Sequence, residues 1–293
     1  MATERVVLRA VDIESARHGG VRLAPMRFTL ERGELVALFG PSGAGKSLLL
    51  ALIAGEIALE GGVLEVADFA TMPDLPDGRA LRTVTPANFL KRYAPSFTRA
   101  VYMLEVLGLG ELMDAPLGEL SDGQRHMLRV GAALAQHAPL YLLDDPFDRA
   151  DFERRRRLWH ELDDRCRFGA AVLFSTRDPA IAERADRVLM LDSGRLLADD
   201  APERLIAEQE ATELELEACD PEPILDGLQG VEVRIEPLHD GYRLRLHAPD
   251  TLALQLLQHG YGNIRAITVR PPTLEDAWQW LRLKSRALKP PQE

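Results

Sequence analysis

A buried strand, a glycine-rich turn and a helix follow one another in residues 34–55, ELVALFGPSGAGKSLLLALIAG. The apolar run Leu35–Phe39 leads into GPSGAGKS at 40–47, and a helix rich in leucine and alanine follows. This order matches the pattern G-x-x-x-x-G-K-[ST] in the strand–loop–helix setting that the pattern requires. Residues 139–200 also alternate between predicted strands and helices. This alternation predicts an α/β fold with a mostly parallel sheet wrapped by helices.

The loop itself is a candidate phosphate site. Its glycines let successive backbone N–H groups curve round a phosphate, and the helix N-terminus adds the positive end of its dipole. We expect Lys46 to reach the β- and γ-phosphates of a nucleotide and the Ser47 hydroxyl to hold Mg²⁺. The predicted nucleotide-binding residues are Gly40, Pro41, Ser42, Gly43, Ala44, Gly45, Lys46 and Ser47. A chance match to the bare pattern arises in roughly one chain in a hundred, and this context makes chance a poor explanation.

A second apolar run, LYLLDDP at 140–146, ends in two adjacent carboxylates. Like charges at this distance repel, so a counter-charge is expected between or beside them. An apolar strand ending in Asp is where proteins with such a loop hold magnesium, and this assigns Asp144 to the metal. Asp145 is then placed to act as a general base or to position a water. The alternative is that Asp145 is only a turn residue before Pro146.

A third motif lies between the other two. LSDGQ at 120–124 precedes a helix with apolar spacing, and Ser121 is a natural N-cap. Taken together, GPSGAGKS, LSDGQ and YLLDDP resemble, in order and spacing, the nucleotide-binding subunits of ATP-binding cassette (ABC) transporters. The family writes LSGGQ and Asp-Glu-Pro at the last two motifs. The resemblance covers roughly residues 5–205 and includes Asp151 at the D-loop position.

The resemblance implies a head-to-tail dimer that binds ATP and Mg²⁺. Each ATP would lie between the phosphate loop of one subunit (the P-loop, residues 40–47) and the LSDGQ segment of the other (the signature turn, residues 120–124). The residues of this chain that would contact ATP bound by the partner are Ser121, Asp122, Gly123 and Gln124.

Besides Asp122 in LSDGQ, four positions depart from the family's pattern. The catalytic glutamate is Asp145, and the switch histidine is Arg177. The glutamine of the loop that joins the two lobes is absent; its stand-in is Asp74, a further candidate metal ligand. The aromatic residue that stacks on adenine is replaced by His18.

These departures predict ATP binding with weak hydrolysis at this chain's own P-loop. A shift of about 1 Å in a reacting group costs on the order of 100-fold in rate, and general-base catalysis contributes about 10²–10⁴-fold. Arg177 is always charged and cannot act as a switchable imidazole, although it can clamp a γ-phosphate. We expect Asp145 and Arg177 to be the catalytic residues of this chain.

The chain divides into two predicted domains. Residues 1–205 form the ABC ATPase domain, with a helical subdomain at about 86–137, and its early strands include GGVLEVADF at 61–69 as one run. Residues 210–284 alternate apolar and polar residues as half-buried strands do, with predicted helices at 221–230, 251–262 and 273–288. They indicate a small α+β domain of ferredoxin-like layout. Residues 285–293 are a tail.

Net charge and hydropathy limit the kinds of partner that this chain can have. The net charge of −11 argues against a nucleic-acid partner, which requires a clustered basic face. No apolar stretch reaches the roughly 18–20 residues that cross a bilayer. With the resemblance, this predicts a cytoplasmic subunit, peripheral on the cytoplasmic face of the cell membrane, that couples to a separate transmembrane permease. VRPPTLEDAWQWL at 269–281 resembles the appendage of export-type ABC ATPases in the drug-resistance branch.

Three functions stay open at this point. The first is an ATP-binding subunit that powers a permease, an exporter by the C-terminal resemblance, with a second ABC ATPase subunit in a homodimer or heterodimer. The second is a non-hydrolysing regulatory partner of a competent ABC ATPase. The third is a soluble ABC ATPase outside transport, against which the single cassette and the acidic charge count.

Overall fold

The structure is a computed structural model that describes residues 5–18, 20–208, 212–227, 233–248 and 264–287. The chain divides into two compact units, Met1–Pro202 and Glu203–Glu293.

Two sheets make up the first unit. In chain order, its strands are β1 (Val6–Ser15), β2 (Met26–Glu31), β3 (Leu35–Phe39), β4 (Leu59–Val66), β5 (Phe69–Thr71), β6 (Leu140–Leu143), β7 (Ala171–Thr176), β8 (Arg187–Asp192) and β9 (Arg195–Asp200). The smaller sheet is antiparallel, in the order β2-β1-β4. The larger has the order β5-β6-β7-β3-β8-β9, with only the β8–β9 pair antiparallel.

Helices flank the larger sheet and connect its strands. They are α1 (Lys46–Ile53), α2 (Pro86–Leu90), α3 (Phe97–Val106), α4 (Asp122–Ala135), α5 (Phe152–Arg167) and α6 (Pro179–Ala182). Helix α7 (Pro202–Ala207) follows β9. Short 3₁₀ helices occur at Gly78–Arg82, Gly110–Leu112 and Leu117–Glu119. Within the described ranges, every helix is too short or too polar to cross a membrane.

Burial explains why the central strands are parallel. Every residue of β3, β6 and β7 is buried, as expected for parallel strands covered on both faces. Because the strands run the same way, the segments that follow them meet at one edge of the sheet. The P-loop follows β3, the paired aspartates follow β6, and Arg177 follows β7.

The reading of GGVLEVADF as one strand is wrong. The run divides at Ala67 and Asp68 into the end of β4 and the start of β5, which lie in different sheets. β4 pairs antiparallel with β1, whereas β5 pairs parallel with β6. The alternation of apolar and polar residues cannot reveal this, since a strand that changes its partner can keep the same period.

The helical part at 86–137 is tied to the sheet-bearing part by a buried carboxylate. Glu161 of α5 accepts hydrogen bonds from the Tyr102 hydroxyl (2.5 Å) and the Arg99 guanidinium (3.0 Å), both on α3. Burial of Glu161 is tolerated because the charge is paired and hydrogen-bonded. The contact connects the helix that follows the paired aspartates with the helical subdomain.

The second unit contains a four-stranded antiparallel sheet. Its strands are β10 (Thr212–Ala218), β11 (Val233–Leu238), β12 (Gly241–Ala248) and β13 (Ile264–Arg270), in the spatial order β11-β12-β10-β13. Helix α8 (Glu222–Gly227) follows β10, and α9 (Leu274–Ala287) follows β13. This strand order, with α8 between the first two strands of the unit, is that of a ferredoxin-like sheet. The helix predicted at 251–262 lies outside the described residues, and α9 runs past 284 to Ala287.

Alternation of side chains gives this sheet one apolar and one charged face. The buried core of the unit includes Leu214, Leu216, Leu244 and Leu246. On the opposite face, Glu215 of β10 forms ion pairs with Arg243 at 3.1 Å and Arg245 at 3.0 Å, both on β12. Cross-strand pairs of opposite charge of this kind stabilise a sheet by about 0.2–1 kcal/mol each.

The two cysteines should differ sharply in reactivity in the native protein. Burial raises the pKa of the Cys166 thiol to about 12, whereas Cys219 is exposed. The thiolate is the reacting species, so we expect one of the two thiols to react rapidly with Ellman's reagent at pH 8. Cys219→Ser should abolish the rapid phase and Cys166→Ser should leave it intact; two rapid equivalents in the native protein would contradict the packing around α5.

Candidate nucleotide-binding site

Close backbone approach explains the glycines of the P-loop. A Cβ on Gly40 would lie 2.3 Å from the carbonyl oxygen of Leu191, and one on Gly45 would lie 3.2 Å from Leu23 Cδ2. Gly43 and Gly45 also have positive φ, 79° and 102°, a region that glycine enters without steric cost. The loop therefore has the tight backbone path of a phosphate cradle, and α1 begins at its end.

Lys46 lies at the centre of this cradle. The residue is 7% exposed, and its ammonium group donates to the carbonyl oxygens of Gly40 (2.6 Å) and Pro41 (2.9 Å). Burial lowers the pKa of the Lys46 amine, and the carboxylates of Asp145 and Asp144 oppose that shift. A largely buried cation held by neutral carbonyls is a good partner for an anion, which would compensate its desolvation. The residues present thus fit a phosphate.

Ser175 connects the paired aspartates. Its hydroxyl donates to Asp144 Oδ1 (2.5 Å) and accepts from the backbone N–H of Asp145 (2.8 Å). Asp144 therefore keeps one side of its carboxylate engaged and remains close to the P-loop. Ser175 was not identified from the sequence; the available signal was the polar end of the buried run AAVLFST, which forms β7, the strand beside β6.

Arg177 spans the mouth of the site. Its Nε lies 3.5 Å from Asp145 Oδ2, and its Nη1 donates to the Ser42 hydroxyl at 3.3 Å. Burial raises the pKa of the Asp145 carboxyl, and the Arg177 charge works against that shift. The two substituted catalytic positions are thus brought together as an ion pair, which reaches across to the P-loop.

These groups surround a cleft of about 740 Å³, here called the P-loop cleft. Its lining includes His18, Ser42, Lys46, Ser47, Asp144, Asp145 and Arg177. The volume is within the range of ligand sites, about 300–1,000 Å³. The structure also places His18 here, where its backbone N–H and C=O pair with Val21.

Asp74 lies in an adjoining cleft of about 390 Å³, which Ser47 and Asp144 also line. Its carboxylate is 2.9 Å from Arg129 Nη2 and its side chain is 94% exposed. Among the described residues, no cluster of three or more His, Cys, Asp or Glu side chains could hold a metal. A donor set of Ser47 and Asp144 suits Mg²⁺, which keeps several waters and binds through one or two carboxylates with substrate phosphates.

The signature turn is separate from the P-loop cleft. Ser121 caps α4 in a capping box, in which it accepts from the Gln124 N–H (3.3 Å) and its own N–H donates to Gln124 Oε1 (2.8 Å). Asp122 is 80% exposed in its side chain, and a Cβ on Gly123 would approach Arg149. This exposed turn is available to another molecule. Asp151, at the D-loop position, caps α5 and accepts from the Arg154 N–H at 2.8 Å.

Ser175→Ala should destabilise the first unit by about 1–3 kcal/mol, because the partly buried N–H of Asp145 and the carboxylate of Asp144 both lose a partner. Urea unfolding measures this change. The matched control is Ser42→Ala, an exposed hydroxyl that only accepts from Arg177, with an expected change within about 0.5 kcal/mol. Equal, small changes in the two variants would show that Ser175 does not hold the aspartates.

Comparisons with known proteins agree with this geometry. A family model described as ABC transporter matches residues 23–148. The Nod factor export ATP-binding protein I of Rhizobium leguminosarum bv. viciae is 27% identical over 305 residues, which cover 97% of this chain and 96% of that protein. The hemin import ATP-binding protein HmuV of Nocardia farcinica is 31% identical over 233 residues, which cover 70% of this chain and 81% of that protein.

Solved structures show the same fold. The ATP-binding subunit of an ABC transporter superposes with a TM-score of 0.60 at 24% identity, covering 69% of this chain and 92% of that one. A bacterial Atm1-family ABC exporter with ATP bound gives 0.61 at 16% identity, covering 70% and 40%. With the P-loop geometry and the identity to the Nocardia protein, these findings show that the chain belongs to the ABC transporter family as an ATP-binding subunit.

Proposed function

We propose that this subunit binds Mg-ATP in the P-loop cleft, dimerises around it with a second ABC ATPase subunit, and hydrolyses ATP only slowly at its own site. The observation that carries the proposal is the Asp145–Arg177 ion pair beside an intact P-loop. The features that bind phosphate are retained, whereas the two positions that would activate water neutralise each other.

The binding roles follow from placement. The backbone N–H groups of the loop and the N-terminus of α1 receive the phosphates, and Lys46 supplies a positive charge. Ser47 and Asp144 would hold Mg²⁺, which when bound neutralises charge on the phosphate oxygens. His18 lines the cleft, and we assign it to contact with the adenine ring of ATP.

Slow ATP hydrolysis is expected from the length and the ion pairing of the Asp145 side chain. An aspartate carboxylate is one methylene shorter than a glutamate, and here its oxygen lies 3.5 Å from a guanidinium that is always charged. The Arg177 charge makes the Asp145 carboxylate a poorer proton acceptor than burial alone would make it, because proton transfer would leave the guanidinium without its counter-charge. Arg177 also contacts Ser42, which places its charge toward the phosphate end of the cleft.

The exposed signature turn supports a role in a composite site. We place Ser121, Asp122, Gly123 and Gln124 against ATP bound by the partner subunit. A partner with an ordinary catalytic glutamate and histidine would then form one competent site with this chain's signature. The other site, built on Lys46, Asp145 and Arg177, would mainly retain ATP.

We propose the direction of transport from how much of this chain each relative matches. The relative that matches 97% of this chain is named for export, whereas the relative named for import matches 70%. An export role at the cytoplasmic face of the membrane, through a separate permease, is therefore favoured. The same ion pair also supports a second function, that of a non-hydrolysing regulatory subunit.

Asp145→Glu combined with Arg177→His should raise the kcat of ATP hydrolysis by on the order of 100-fold over the wild-type chain, since it restores the reach of the base and removes its cation. Binding of ATP should change little. Phosphate release measures the rate, with Lys46→Ala as the blank. Wild-type turnover near the typical enzyme value of about 10 s⁻¹ would contradict slow hydrolysis. A double variant that binds ATP without turnover would favour the regulatory function.

Asp122→Gly should strengthen ATP-dependent dimerisation by up to about fivefold, because it removes a carboxylate that we place near the partner's phosphates; exposed charges of this kind contribute about 0.2–1 kcal/mol. Sedimentation velocity with ATP, in an Asp145→Asn background, measures the dimer. Asp68→Gly removes the same charge from another exposed loop and serves as the control. Equal effects of the two variants would argue against the head-to-tail arrangement.

A further inference from the structure

The backbone at Asp145 is in a conformation that the residue would not choose by itself. Its φ is +50°, in the left-handed region that non-glycine residues rarely enter. The next residue is Pro146, whose ring restricts the preceding residue to extended conformations. Strain of this kind costs on the order of 1–3 kcal/mol and persists only where the surroundings impose it. The direction of the Asp145 carboxylate therefore depends on whatever holds its peptide groups.

Two side chains from different elements hold those groups. The N–H of Asp145 donates to Ser175 at the end of β7, as described above. The C=O of Asp145 is 2.9 Å from Nε2 of His126, in the first turns of α4. Since a carbonyl oxygen only accepts, Nε2 must carry the proton and donate. The N–H of Asp148 donates to the same oxygen at 3.0 Å.

His126 has a neighbour on the same helix face with a related contact. Arg129, three residues later, donates from Nε to the carbonyl oxygen of Pro73 at 2.8 Å and pairs with Asp74. Residues at i and i+3 of a helix lie side by side. One face of α4 thus contacts both the turn after β6 and the segment after β5, and both residues line the cleft beside the P-loop cleft.

We propose that His126 is a positioning residue for ATP hydrolysis, which acts by fixing the left-handed backbone of Asp145. The inference rests on the proposed role of Asp145 as the base. Helix α4 begins at the signature turn, so a displacement of α4 by the partner's nucleotide would reach Asp145 through this hydrogen bond. In this proposal His126 acts through Asp145 and not directly on the substrate.

The test uses two amide replacements that differ in where they place their N–H. Gln places its Nε2 as many bonds from Cβ as His Nε2 lies, whereas Asn places its nitrogen where His Nδ1 lies. His126→Gln should therefore keep kcat near the wild-type value. His126→Asn should lower kcat roughly tenfold while KM and ATP binding stay unchanged. His160→Gln, an exposed histidine on α5, is the control.

Phosphate release is measured in the wild-type chain and in the Asp145→Glu/Arg177→His chain, together with amide hydrogen exchange at Asp148. We expect about tenfold faster exchange in His126→Asn and no change in His126→Gln. Full activity in His126→Asn where Asp145→Asn is inactive, or equal losses in both His126 variants, would overturn the proposal.

If neither background exceeds the Lys46→Ala blank, the role proposed for Asp145 fails and exchange alone decides on His126. Faster exchange at Asp148 in His126→Asn alone would support the proposal that His126 positions the turn at Asp145. Unchanged exchange in both His126 variants would reject that proposal.

Discussion

Side-by-side pairing of three buried parallel strands is the constraint on which the rest of the site depends. In the larger sheet, β6 pairs with β7 and β7 with β3, so that Leu143 lies opposite Phe174 and Phe39 opposite Thr176. The residues that follow each strand are therefore brought to one edge. Because these strands lie side by side, Ser175 can form hydrogen bonds with both aspartates. For the same reason, the Lys46 ammonium interacts electrostatically with both carboxylates.

Charge balance at this edge explains the character of the site. Two carboxylates, Asp144 and Asp145, lie near two cations, Lys46 and Arg177. Lys46 is engaged with backbone carbonyls and is oriented by the loop, whereas Arg177 is engaged with Asp145 and Ser42. The Lys46 cation thus remains oriented by the P-loop, whereas the charge of the Asp145 carboxylate, the proposed proton acceptor, is partly neutralised by Arg177. The proposed separation of nucleotide binding from turnover rests on this difference.

In the proposed dimer, helix α4 would connect this site with the partner subunit. Its first residues form the exposed signature turn, and its next turns contact the segments that follow β5 and β6. A helix is stiff over this length, so a movement at one end is transmitted to the other. The charged sheet face of the second unit, with Glu215 between arginines, has no comparable link to chemistry among the described residues.

The sequence by itself determined the features that depend on residues close together in the chain. The P-loop, the capping box of Ser121 and Gln124, the buried strands and the strand pattern of residues 210–284 were all predictable, because turn chemistry and side-chain period are local. The departures at Asp145 and Arg177 were also visible from the motifs alone. One strand boundary was not, since GGVLEVADF keeps its period while it changes partner.

Only the tertiary structure decided how distant residues meet. Asp145 and Arg177 form an ion pair although each motif was read separately, and Asp74 pairs with Arg129 from 55 positions away. The left-handed backbone of Asp145, and the contacts of Ser175 and His126 that hold it, follow from which strands and helices are neighbours. The physical reason is that local preference would place a residue before proline in an extended conformation, and only packing and hydrogen bonds from other elements can impose another.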